Sequence, residues 1–130
     1  MHIDQYLRGG DRRSIGKANQ LVERITADPS LLPAVIAALA SPDQLVAMRA
    51  ADVAEKISHR HIEWLSPHRA ALLRLLQVVE QQEVVWHLAQ IVPRLSLTKT
   101  QRKAAFALFK RHLESESRIV VTFALQAMFD

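Results

Sequence analysis

One stretch constrains this chain more than any other: residues 43–58, DQLVAMRAADVAEKIS, whose pattern of apolar and charged residues returns elsewhere in the sequence. Leu45, Val46, Met48, Ala50, Ala51, Val53, Ala54 and Ile57 are apolar, while Arg49, Asp52 and Lys56 stand three and four residues apart. Residues at those spacings share a helix face, so the three charges make one stripe. The apolar arc is wider than one stripe, and its alanines let neighbouring helices come close on two sides. That is the pattern of a helix held between others in a stack.

The segments GKANQLVERI from Gly16, MRAADVAEKI from Met48, WHLAQIVPRL from Trp86 and TFALQAMFD from Thr122 align at steps of 32, 38 and 36 residues. A repeat of that length, made of two helices, is the signature of an α-solenoid. Helical periodicity predicts inner helices over 12–26, 43–57, 82–95 and 117–129, and outer helices over 30–40, 67–79 and 99–113. The expected start signals are Asp11, Asp28-Pro29, Ser41-Pro42 with Gln44, Ser66-Pro67, and Thr98 with Gln101 three residues on. Pro33 is expected to bend its helix, and Pro93 to kink the third inner helix by removing a backbone donor. Residues 58–66 read as an irregular connector pinned by Trp64 and Leu65, and residues 1–10 as a frayed lead-in with one turn around Tyr6 and Leu7.

Eighteen alanines and seventeen leucines against three glycines favour an all-α fold. A chain of 130 residues has room for one domain with a self-sufficient core, here a repeat domain over 11–130 after the lead-in. Without cysteine there is no disulfide and no thiolate nucleophile or metal ligand, which fits a reducing compartment. The first residues lack the apolar run of a secretory signal and no apolar stretch approaches a membrane span, so the expectation is a cytoplasmic protein with no membrane partner. The net charge of +4 suits an acidic partner, although acidic and basic residues are interspersed.

Asp43 and Arg49, preceded by Pro42, and the matching Asp11 and Lys17 one repeat earlier place an acidic residue six positions before a basic one at the start of a second helix. In this the chain resembles the HEAT-like (HEAT/armadillo) helical repeat family. The motif decays to Gln81 and His87, then to Ser117 and Phe123. The resemblance implies a right-handed α-solenoid, or superhelix, of about three and a half HEAT-like helix-pair repeats. Relatives of that kind include protein-binding scaffolds, phycobilin lyase relatives and the DNA glycosylases that excise alkylated bases, so the shape does not choose an activity.

Aligned polar positions form a ladder: Lys17, Gln20 and Arg24; Arg49, Asp52 and Lys56; His87, Gln90 and Arg94; Phe123 and Gln126. In a solenoid such positions stack along one face, and Lys17, Arg24, Arg49, Asp52, Lys56, His87, Gln90 and Arg94 are the expected partner-binding set. Arg49 has two readings, a structural partner of Asp43 or Asp52 and a charge facing the groove. Trp64 and Trp86 read as packing residues, with a second reading as anchors for a base or peptide. His59, His61 and His68 lack the spacing of a zinc motif, so no metal or cofactor is expected. Asp52 is the one acid on the ladder that could serve glycosylase-like chemistry.

Arg69, Arg74, Lys99, Arg102, Lys103, Lys110 and Arg111 read as a solvated convex face with some attraction for phosphate. The expected function is thus a non-catalytic scaffold whose basic concave face binds an acidic protein segment. The alternative is a nucleic-acid binder of the same shape as the alkylpurine glycosylases. The apolar residues Val120, Val121, Phe123, Leu125, Met128 and Phe129 suggest self-association through the C-terminal edge.

Overall fold

A computed structural model describes residues 3–8, 18–114 and 117–129. Every regular element among the described residues is helical, without strand: α1 (Asp4–Leu7), α2 (Ala18–Ala27), α3 (Leu32–Ala38), α4 (Gln44–Arg60), α5 (Ile62–Leu65), α6 (Arg69–Val78), α7 (Gln82–Ile91), α8 (Lys99–His112) and α9 (Arg118–Phe129). No helix is long and apolar enough to cross a membrane.

α4 lies at the centre because the sequence equips it to be covered on several sides. Val46, Ala47, Ala50, Ala51, Val53, Ala54 and Ile57 are all buried, and α2, α3 and α7 pack against it. The side chains facing those neighbours are mostly alanine and valine, which lets three helices approach one. Further along the chain, α7 packs on α9, and α8 on α9 and α6. Leu21 and Ile25 of α2, Leu72 and Leu76 of α6, and Leu88 and Ile91 of α7 are fully buried in one continuous core. Each such side chain stabilises the fold by about 1.5–3 kcal/mol through lost water contact.

Helix boundaries follow local chemistry. Asp28 caps the 3₁₀ turn Pro29–Leu31 by accepting from the Ser30 amide, and Pro33 sits in the first turn of α3, where a missing amide hydrogen costs nothing. Thr98 and Gln101 exchange bonds in a capping box, with Gln101 N to Thr98 Oγ1 at 3.1 Å and Thr98 N to Gln101 Oε1 at 3.0 Å. The cap of α4 is Asp43 rather than Ser41: its carboxylate accepts from the amides of Leu45 and Val46, while Ser41 Oγ accepts from the Asp43 amide.

Three expectations are corrected. The lead-in is not a frayed cap over its described part, since Ile3, Tyr6 and Leu7 are buried and α1 packs on α2 and α4. Residues 58–66 are not an irregular connector: α4 runs on to Arg60, and α5 is a further turn with Leu65 buried. The His61 and Trp64 rings stack with centroids 3.9 Å apart, which holds the junction. Pro93 does not kink a continuing helix; α7 ends at Ile91 and the chain tightens into the 3₁₀ turn Val92–Arg94, a form that accommodates the proline. Expectations at Asp11, Gly16 and Lys17 fall outside the described residues.

Candidate functional site

The ladder residues on α4 and α7 meet across the contact between those two helices. Asp52 and Lys56 lie one turn apart on α4 and pair at 3.0 Å. Lys56 Nζ also donates to Asn19 Oδ1 of α2 at 2.7 Å. From α7, His87 Nε2 approaches Asp52 Oδ1 to 3.8 Å. Just beyond α7, Arg94 Nη1 donates to Glu55 Oε1 at 3.0 Å and Ser58 Oγ at 2.8 Å, both on α4. The turn at Val92–Arg94 sets this reach, because it carries Arg94 back toward the C-terminal half of α4.

His87 is the perturbed group of the set. Burial holds it below its ordinary value of 6.5, against upward pulls from Asp52 and Glu55 and with a smaller push down from Lys56. Its Nδ1 faces the Glu83 carbonyl one turn back, a contact that fits an Nδ1–H donor and leaves Nε2 toward Asp52.

Arg49 leaves the partner-facing set. Only 2% of it is exposed, and its Nη1 donates to the Leu7 carbonyl at 3.1 Å, 42 residues away in the chain. It sits on the α1 side of α4 and is structural, while Asp43, one of its expected partners, serves as the helix cap. Gln90 bonds within its own helix to the Trp86 carbonyl at 3.3 Å. Arg24 is exposed in the last turn of α2. Trp64 and Trp86 are both partly buried and packed on the core.

Two clefts follow the ladder. The larger, about 660 Å³, is lined by Asn19, Val22, Glu23, Glu55, Lys56, His59, Arg60 and Arg94. The smaller, about 310 Å³, brings Gln90 and Arg94 beside Phe123 and Gln126. Sequence reasoning missed Asn19, Glu23, Glu55, Ser58, His59 and Arg60. A usable signal existed in the offset between partners: Lys56 to Asn19, Arg60 to Glu23 and Gln81 to Gln44 are each separated by 37 residues. Arg94 reaches Ser58 at 36 and Glu55 at 39. The 32-residue step between the first two segments is five residues short of that register, so it set Arg24 against Lys56 instead of Glu23 against Arg60.

Among the described residues no group of three or more His, Cys, Asp or Glu side chains is placed to hold a metal ion. The chemistry the site offers is ionic and hydrogen-bonding: cations, carboxylates and one poorly solvated imidazole along a shallow furrow. No protein-family model, characterised protein or solved structure matches the chain.

Proposed function

We propose that the chain is a non-catalytic binding module, a short right-handed HEAT-like solenoid whose inner row engages an acidic segment of a protein partner. The packing order supports the solenoid reading: α2, α4, α7 and α9 touch in succession, with α3, α6 and α8 following them in the chain as the outer members. The bonds between successive helix pairs fall at separations of 34 to 39 residues, the length of one such pair.

The observation that carries the binding reading is the 660 Å³ cleft, which gathers Lys56, His59, Arg60 and Arg94 on one surface, with Lys56 paired to Asp52, Arg94 to Glu55 and Arg60 only to the exposed Glu23. Arg60 and Glu23 pair at 3.1 Å with 52% and 68% of their side chains exposed. Such a pair holds weakly, and an incoming carboxylate can take the place of Glu23. A glycosylase-like role for Asp52 is disfavoured, since its charge is engaged by Lys56 at 3.0 Å and an acid steadying a sugar cation would have to give up that partner.

The test is isothermal titration with a glutamate-rich peptide at low salt. The expected result is weak binding that fades with salt and is lost in the Lys56→Glu, Arg60→Glu double variant. Absence of binding at low salt, or full binding by the double variant, would sink the reading.

A further inference from the structure

Charge is not shared evenly along this chain. Residues 1–65 hold eight basic and eight acidic residues, whereas residues 66–130 hold nine basic and five acidic, so the whole net charge of +4 comes from the second half. Within it the asymmetry sharpens. Helices α6, α8 and α9 contain eight Lys or Arg residues (Arg69, Arg74, Lys99, Arg102, Lys103, Lys110, Arg111 and Arg118) and no Asp or Glu.

On α8 the basic residues are also aligned. At 3.6 residues per turn, Lys99, Arg102, Lys103, Phe106 and Lys110 all fall within an arc of about 100°. Every one of them is exposed, and Phe106 is 47% exposed in the middle of the stripe. Among the described residues none of the four cations makes a hydrogen bond or ion pair, in contrast to Lys56, Arg60 and Arg94 on the inner row. The side of α8 that adjoins the stripe is committed to the fold through Ala105 and Phe109. Its C-terminal end is tied to α6 by Arg111 Nη2 to the Gln77 carbonyl at 2.8 Å and by His112 at the Leu76 carbonyl, 3.3 Å. One turn before Gln77, Arg74 extends the basic surface onto α6.

From this we infer that the exposed stripe of α8 is a docking surface for single-stranded nucleic acid, with Lys99, Arg102, Lys103 and Lys110 on successive phosphates and Phe106 stacked on a base. The four cations span about 16 Å along the helix at 1.5 Å per residue, a length that follows a short run of backbone phosphates. A lone aromatic ring set among cations is the pairing that sequence-tolerant single-strand binders use, because every base presents a π face and every nucleotide a charge. Phe106 borders a cleft of about 410 Å³ lined also by Pro93, Leu97, Arg102 and Met128, which leaves apolar space beside the ring for an unstacked base. A lipid surface fits less well, since a helix lying in a membrane interface buries a continuous apolar face, and here that face is already in the core. The inference concerns the outer helices and stands apart from the cleft reading.

Fluorescence anisotropy with an end-labelled, mixed-sequence DNA strand of about twelve nucleotides tests it at low salt. The expected result is binding whose logarithm falls with the logarithm of salt at a slope near −3, about −0.7 for each of four phosphates. Lys103→Glu with Lys110→Glu should weaken binding tenfold or more. Phe106→Ala should weaken it about fivefold or more on the single strand and leave a duplex of the same sequence unaffected. Phe106→Leu keeps an apolar side chain of similar size should the alanine variant lose helicity by circular dichroism, and it should show the same single-strand loss. The Lys56→Glu, Arg60→Glu variant should bind the strand normally, so failure here and failure of the cleft reading are separable. No binding at low salt, full binding by the Lys103, Lys110 double reversal, or equal single-strand binding by the Phe106 variants overturns the proposal. So does capture by phosphatidylserine vesicles without binding to the oligonucleotide.

Discussion

The inner row and the α8 stripe are built from the same residue types and behave as opposites. On the inner row Lys56, Arg60 and Arg94 each find an acceptor on a neighbouring helix, 37 to 39 residues back in the chain. On α8, Lys99, Arg102, Lys103 and Lys110 find none among the described residues, and α6 and α9 contain no carboxylate. What separates the two sets is the supply of acceptors within reach: Arg60 and Arg94 take theirs from the next helix, and Lys56 takes one there and one from Asp52 on its own.

The sharpest way to break this comparison is Arg49→Ala. The Leu7 carbonyl and the space around a nearly fully buried guanidinium would be left behind, and the expected loss is at least about 2 kcal/mol. Urea unfolding measures it, and a loss under about 0.5 kcal/mol would return Arg49 to the surface.

Arg94→Glu comes next. It faces Glu55 with a like charge and removes the bond to Ser58, in a setting where the side chains are 31% and 18% exposed. A cost of about 1–2 kcal/mol is expected, intermediate between exposed and buried pairs. A melting temperature equal to that of the parent would mean that the pair holds nothing.

A smaller effect should appear with pH. Because burial lowers the pKa of His87 in the folded protein, the unfolded chain binds the proton more readily between that value and 6.5. Stability is therefore complete above about pH 7 and is lost as the pH falls through 6.5 and then through the folded value. His87→Gln should flatten this part of the stability curve, and parallel curves for the two proteins over pH 7 to 5 would count against the assignment.

The smallest expected change is the most telling for the outer face. Lys103→Glu with Lys110→Glu should move stability by no more than about 0.5 kcal/mol, since neither side chain has a partner to lose among the described residues. A larger drop would show that α8 uses its charges structurally after all.

Much of the helical layout was legible because apolar periodicity and capping chemistry are local. The capping box at Thr98, the Asp28 cap and the central position of α4 needed only a few neighbouring residues. Misreadings arose where tertiary partners decide. Tyr6 and Leu7 sit in a short polar context that reads as a loose terminus, yet α4 offers a surface that buries them. Arg49 looked like its ladder companions because periodicity assigns a face without saying what covers it. The partner Glu23 was missed for a related reason: a step between the first two segments that is five residues short moves each charge by more than one turn, whereas the 38-residue step set Arg94 against Lys56, the immediate neighbour of its actual partner Glu55.

The bond from Arg49 to the Leu7 carbonyl also decides how the first described turn is held. The cross-helix bonds of Lys56, Arg94 and Arg111 span 37, 39 and 34 residues. α1 is tied by a bond that spans 42 residues, and it rests on both α2 and α4. Lifting that turn away would return a nearly fully buried guanidinium to water, so the docking of α1 and the burial of Arg49 are one coupled event.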